Sequence, residues 1–431
     1  MRAAFYECDI TPPLGGFMWG YYSCTRIATT VHNKLFARAV VVEDEGNVAA
    51  FVTVDTCVIP PEMHDIVTKR IEEYTGIKPE SICISSNHTH LGAPVFDGPE
   101  VNAFADEAYK DVFFRLSADA VILAYKRLDD ASAKFAKTEL TGYSYNRNCI
   151  TTEGKYLTGV MRDNAVSTLD EVDQEVPILY FERDGKPIGA IISFALHQDT
   201  TGIGQKLGLG YTGDYSCILS EKLKEIYGRD FVTVFLIGTC GDINHHPLDR
   251  SIEIKRYKEI GDALTKLTIE QYDKAKPIGS GVSVIKEFVE IKTRPFDFAE
   301  QQKEVSRLLD TGNAMRARNL LFYISSNPPE KTNLAVQGIK IGDVFIAALP
   351  GEIYTTYGKQ IKAASPFKRT MVAENCNSYC GYIPSHKAFE EASDLYESSL
   401  CYHSCHVPEA GDILVSKALE FANKLNKVKE K

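Results

Sequence analysis

Asn87-His88-Thr89-His90 sets two imidazoles two residues apart. On extended backbone that spacing puts both rings on one face. One ring can then hold a metal ion while the other touches a substrate. The plain alternative is a polar loop with two solvated histidines, because His-x-His is short and frequent. A regularity along the chain bears on the choice: apolar runs end in polar groups. Asp55 follows residues 51–54, His88 and His90 follow 82–86, His197 follows 191–196, Asp242 follows 231–237, and Glu352 follows 344–349. In α/β proteins ligands bind at strand ends, where loops converge. Residues far apart in sequence can therefore meet there, and neutral imidazole with carboxylate suits Zn²⁺. Each residue also has a duller reading. His197 alone could be merely hydrogen-bonded, and Glu352 could open a helix whose dipole favours a carboxylate.

Other reactive residues carry weaker signals. Cys376-x3-Cys380 and Cys401-x3-Cys405, with His403 and His406, fit a structural zinc loosely, against the commoner reading of buried free cysteines. Cys240 has no sequence-level sign of an activated nucleophile. His245-His246 reads as an exposed polar loop. Asp55, Asp199, Asp214 and Asp242 could orient histidines from behind or serve as turn and cap residues. Phe17, Met18, Trp19, Tyr21 and Tyr22 suggest an aromatic pocket wall or core.

The elements that must position these groups follow from hydrophobic periodicity. Residues 38–43 and 48–54 read as strands about the turn 44–47, and 177–181 with 188–196 as a hairpin about 183–186. A second hairpin joins 336–341 to 344–349 about Gly342-Asp343. Further strands are expected at 81–86, 133–140, 231–237, 282–292 and 369–373. Helices are expected at 60–74, opened by proline, and at 104–127, 216–227, 254–272 and 412–424. A polar helix or helix pair at 298–321 reads as a surface excursion. No internal repeat or linker is evident. Strands mixed with helices predict α/β architecture, with mixed β-sheets in the interior flanked by helices, in one domain over 1–431.

The chain has 431 residues, 44% of them hydrophobic and 25% charged, with a net charge of −10. That balance is ordinary for a globular protein, and the negative charge disfavours nucleic acid and anionic membrane as partners. There is no signal-peptide pattern and no apolar stretch of about 18 residues. With 11 cysteines, an odd number spread over the chain, reduced thiols and a cytoplasmic location are expected.

Beyond these local readings, an ordered set of motifs resembles the neutral/alkaline non-lysosomal ceramidase N-terminal domain. It begins with Asp9-Ile10-Thr11-Pro12-Pro13, Gly15-Gly16 and Gly20-Tyr21. It continues through Asp55, Ser86-Asn87-His88-Thr89-His90-x-Gly92, Asn146-Arg147-Asn148, Phe194-Ala195-Leu196-His197 and Asp214. It ends with Gly241-Asp242, Pro350-Gly351-Glu352 and Asn377-x-Tyr379-x-Gly381-Tyr382. The resemblance spans about residues 5–400. It implies one zinc ion per chain, held by His88, His197, Glu352 and Tyr382. His90, Arg147 and Tyr396 are implied to face the substrate carbonyl, and Asp242 is counted with them as a catalytic candidate. Asn244 stands where the family's Gly-Asp-Val-Ser-Pro-Asn segment has a serine. Asparagine is no nucleophile, which favours attack by zinc-bound water. The implied function is hydrolysis of the amide of a small-molecule N-acyl compound, in a chain without the family's C-terminal β-sandwich. The alternatives are a zinc esterase or lactonase, and a non-catalytic binding protein on the same fold.

Overall fold

The structure is a computed structural model that describes residues 1–21, 25–97, 104–201 and 209–428. Three mixed sheets form its interior. The first contains β1 (Arg2–Asp9), β2 (Phe36–Asp44), β3 (Asn47–Val54) and β4 (Ile82–Ser86). The second contains β5 (Ser132–Glu139), β6 (Glu175–Arg183), β7 (Lys186–Phe194) and β8 (Val232–Ile237). The third contains β9 (Val282–Lys292), β10 (Lys331–Ile341), β11 (Val344–Ala348) and β12 (Arg369–Ala373). Short edge pairings at Asp129–Asp130 and Lys276–Pro277 extend the first two sheets.

All three sheets repeat one topology. Three strands run antiparallel in sequence, and a fourth pairs parallel with the third after a helical crossover. The crossover helices are α1 (Pro61–Thr75), α3 (Asp214–Tyr227) and α7 (Thr355–Ala364). A second helix follows each fourth strand: α2 (Glu107–Tyr125), α4 (Tyr257–Tyr272) and α8 (Ala410–Asn426). The sequence shows no internal repeat: the chain repeats a strand order without repeating residues.

Period-2 geometry explains why strands such as β2, β3 and β11 are nearly continuously apolar. In β2, Ala37, Ala39 and Val41 face α1 and α2, while Val40 and Val42 face the other way. That second face joins the inner faces of the other two sheets in one central core, with Phe51, Phe181, Ile191, Val234, Ile346 and Met371. The outer faces of the second and third sheets are covered by α3 with α4 and by α7 with α8. Strands buried on both faces lose the alternation of a half-exposed strand.

The turns match their residues. Glu45-Gly46 and Asp184-Gly185 have positive φ at both positions (50° and 81°, 51° and 71°). This is the two-residue hairpin turn that suits the strand twist. The polar excursion is a helix pair, α5 (Phe298–Asp310) and α6 (Ala314–Ser325), separated at Gly312. It is inserted between β9 and β10 and packs through Leu308, Leu320, Tyr323 and Cys405.

The ends of the parallel strands converge. Ser86 N–H donates to Asn375 O at 3.2 Å, Asn377 N–H to Ile84 O at 2.6 Å, and Glu374 N–H to Ile237 O at 3.0 Å. These bonds tie β4, β8 and β12 together at one end of the molecule. Among the described residues no helix is long and apolar enough to cross a membrane.

Candidate metal centre

Three of the strand-end residues meet there, one from each sheet. His88 Nε2 lies 3.2 Å from His197 Nε2. Glu352 Oε2 lies 3.4 Å from the first of these nitrogens and 3.3 Å from the second. Ligand bonds of about 2.0–2.1 Å at a tetrahedral angle separate donor atoms by about 3.3–3.4 Å, so this triangle has the size of one face of a zinc tetrahedron. Glu352 Oε2 is buried without a hydrogen-bond donor. His88 Nδ1 is 2.7 Å from Cys57 O and His197 Nδ1 is 2.8 Å from Cys240 O. A carbonyl only accepts, so both rings carry their proton on Nδ1 and present a lone pair on Nε2 to the centre of the triangle.

The backbone around the triangle is tightly held. His88 has φ of 66°, a left-handed conformation that is costly for a non-glycine residue and persists where surroundings over-determine it. Asn87 anchors it: its Nδ2 donates to Asp55 Oδ1 at 2.9 Å, and Asp55 in turn accepts from Arg38 and from Phe36 N–H. Tyr379 O–H donates to Glu352 Oε1 at 3.0 Å. Glu374 accepts from Ile353 N–H and Cys240 N–H, and burial pushes its carboxyl up to about 8.

Tyr382 is the register partner of Glu352 in a short parallel ladder, Glu352–Ile353 against Tyr382–Ile383. Its ring packs edge-on to Tyr396 at 5.7 Å, and the Arg147 guanidinium lies 5.5 Å from its centroid. Arg147 donates from Nε to Glu397 Oε1 at 2.6 Å and from Nη2 to Gly241 O at 2.7 Å. Glu397, which sequence reasoning missed, is fully buried and also accepts from Thr158. His90 Nε2 lies 3.3 Å from His88 Nε2, and its Nδ1 is buried without a partner. Tyr21 packs edge-on against the His90 ring at 5.0 Å, while Trp19 and Phe96 form a neighbouring patch with Tyr379. Tyr22 lies outside the described residues.

Asp242 is placed differently from the other candidates. Its two oxygens are taken by Asn146 Nδ2 at 2.6 Å and Thr355 N–H at 2.8 Å. Its own carbonyl receives Arg147 N–H at 2.8 Å. The side chain thus joins the segment that carries Arg147 to the start of α7. Asp214 holds Thr200 and Thr201, with burial raising it to about 7. His245 is not exposed, contrary to expectation. It is buried between Asp199, 3.7 Å from its Nδ1, and Arg256, 3.1 Å from its Nε2, and burial lowers it to about 4. Asn244 Oδ1 accepts His246 N–H within its own turn.

The cysteine pairs do not assemble into a site. Among the described residues the groups whose ligand atoms converge are His88-His197-Glu352 and Cys57-His88-His90. Cys376 and Cys401 donate to Glu374 O and Ser399 O instead. Cys240 is fully buried against Glu374, which raises its thiol further above the range that burial already sets. That environment opposes thiolate formation.

Gly20 packs its backbone directly on the His90 ring: a Cβ there would lie 2.5 Å from His90 Cγ, and φ is +112°. Gly20→Ala should therefore displace His90. A misplacement of about 1 Å costs on the order of 10²-fold in rate, so kcat should fall by about that much while bound metal, measured by elemental analysis, stays at the parent level.

A family model for the neutral/alkaline non-lysosomal ceramidase, N-terminal, matches residues 5–245. His88, His90, Arg147, His197 and Asp242 fall inside that span. Neutral ceramidase from Drosophila melanogaster is 27% identical over 253 residues, covering 55% of this chain and 35% of that protein. Neutral ceramidase from Pseudomonas aeruginosa is 24% identical over 189 residues, covering 42% and 27%. The chain thus spans about a third of the length of these relatives. The crystal structure of neutral ceramidase from Pseudomonas aeruginosa matches with a TM-score of 0.77 at 19% identity, covering 99% of this chain and 74% of that one. A ceramidase complexed with C2 matches with a TM-score of 0.76 at 18% identity, covering 99% and 75%. Both likenesses establish the fold, including the parts that carry Glu352, Tyr382 and Tyr396.

Proposed function

The chain belongs to the neutral/alkaline non-lysosomal ceramidase family, and from that premise we propose that it is a zinc-dependent amidohydrolase cleaving the amide of an N-acyl compound. The observation that carries this reading is the buried triangle of two Nε2 lone pairs and one carboxylate oxygen, 3.2–3.4 Å apart, with both Nδ1 protons committed to carbonyls. His88, His197 and Glu352 would hold one zinc ion per chain, with Tyr382, beside Glu352 in the ladder, as the fourth protein donor. When bound, zinc supplies the Lewis acidity that polarises a carbonyl and makes water nucleophilic near neutral pH.

The rest of the chemistry falls to this chain's side chains. Arg147, oriented by Glu397 and the Gly241 carbonyl, faces the oxygen on which negative charge develops, and a fixed cation there favours the transition state over the ground state. Tyr396, beside Tyr382, adds a hydroxyl donor to the same oxygen. His90 adjoins the triangle through Nε2; it accepts the proton that the attacking water gives up as the new C–O bond forms, and donates it to the departing amine as the C–N bond breaks. After cleavage the same guanidinium pairs with the product carboxylate. Asp242 and Asn87 hold the segments that bear these groups.

N-acyl lipids of ceramide type are the first substrates to try, because neutral ceramidases are the relatives found. Protein purified without added metal should contain about one zinc per chain, and its turnover of N-acyl amides should rise and fall with zinc occupancy. Turnover that ignores zinc content would overturn the mechanism. Hydrolysis of matched esters with amides untouched would replace the amidase by an esterase or lactonase.

A further inference from the structure

We propose that Glu374 is a positioning residue of the metal centre, a buried carboxyl that sets His197 and Glu352 together. This inference rests on the zinc reading above. Glu374 directly follows β12 and is fully buried, yet it is not a corner of the triangle. Its Oε2 accepts two backbone donors, Ile353 N–H at 2.6 Å and Cys240 N–H at 3.1 Å. Its Oε1 faces Cys240 Sγ at 3.1 Å. Both partners sit one step from a ligand. Ile353 is the residue after Glu352. Cys240 supplies the carbonyl that receives His197 Nδ1–H at 2.8 Å.

The two partner segments also touch each other. Gly241 N–H donates to Ile353 O at 2.9 Å, and a Cβ on Gly241 would lie 2.7 Å from Glu352 O. The loops after β8 and β11 are therefore in direct backbone contact, and Glu374 clamps them at that point. Glu374 N–H donates to Ile237 O, so the clamp is itself fixed to the end of β8. Removing the carboxyl would leave two buried N–H groups without acceptors, and buried backbone donors do not stay unpaired. The loops would shift to satisfy them, carrying the His197 acceptor and Glu352 out of register. Groups that orient ligands in this way typically change metal affinity by about 10–100-fold when lost.

The test is the zinc dissociation constant, measured by competition with a chromophoric chelator, on the parent, Glu374→Ala, Glu374→Asp and Glu374→Gln. Val121→Ala, a truncation in the core between α2 and the first sheet, serves as the control for general destabilisation. Glutamine keeps one oxygen for the two N–H groups, so it should retain the parent's zinc affinity. Alanine should weaken zinc by about 10–100-fold, and kcat at saturating zinc should fall while KM changes little. Aspartate withdraws the carboxyl by one methylene and should weaken zinc in the same direction; it stands in if the alanine variant does not fold. Glu374→Ala or Glu374→Asp binding zinc like the parent would overturn the proposal, as would an equal weakening in Val121→Ala. A parent that takes up no zinc at all would overturn the zinc reading itself, before any variant is compared.

Discussion

His197→Ala should bind no stoichiometric zinc and should lose about 10³-fold or more in kcat/KM. The ring is fully buried, with Nδ1 committed to Cys240 O and Nε2 at one corner of the triangle. Without it three of the four proposed donors remain, His88, Glu352 and Tyr382, with one imidazole nitrogen in place of two, and the tetrahedral set loses a corner. The lost Lewis acidity corresponds to several kcal/mol of transition-state stabilisation, at about 1.4 kcal/mol per tenfold in rate. Elemental analysis and initial rates on the same preparation check both halves. Retention of zinc with an unchanged rate would remove His197 from the ligand set. Loss of zinc with activity intact would separate the metal from the reaction.

The second large effect concerns Arg147. Its side chain is 12% exposed and that of Glu397 is fully buried. Arg147→Met leaves Glu397 buried without its cation, and breaking such a pair costs about 3–5 kcal/mol. The activity loss should be on the order of 10²–10³-fold in kcat, the usual cost of removing one donor to a developing oxyanion. The two consequences separate in a double variant. Arg147→Met with Glu397→Gln removes the stranded charge and leaves an acceptor for Thr158, whose hydroxyl donates to Glu397 Oε2 at 2.6 Å. Denaturant unfolding should show stability largely recovered, while kcat stays low. If activity returns along with stability, Arg147 acts only through the fold.

The strands were legible because both faces of each sheet are buried. Runs such as residues 48–54 are apolar but for Thr53, and Gly46, Gly185 and Gly342 mark their turns. The first strand, Arg2–Asp9, was not foreseen. It places Glu7 against Arg38 and Lys224, so its charge looks like surface. The crossover helix Thr355–Ala364 was foreseen only as a helix that Glu352 could open, without its extent; Gly358 and two threonines weaken its pattern. The repeated topology was invisible because strand order leaves no trace in residue identity. In the site, the polar residues that end strands could be named in advance. The residues that hold them depend on contacts between sheets. Cys57, Tyr379 and Glu397 act through a single backbone carbonyl or side-chain oxygen, and sequence spacing encodes none of these contacts. Glu374 is the exception: it closes the run 369–373 as Glu352 closes 344–349, and the same reasoning extended by one strand would have found it. His245 was misread because two adjacent histidines before a proline resemble a loop, whereas Asp199 and Arg256 enclose the first of them.

Because the three corners of the triangle come one from each structural repeat, occupancy and folding form a single linked equilibrium. Local opening of any one repeat would withdraw a corner and release the proposed ion. By mass action, an ion free at a hundred times its dissociation constant adds about 2.7 kcal/mol to the stability of the whole chain. A zinc ion held as proposed would therefore lengthen the folded lifetime of the whole chain as well as support turnover, and its loss would weaken all three repeats together.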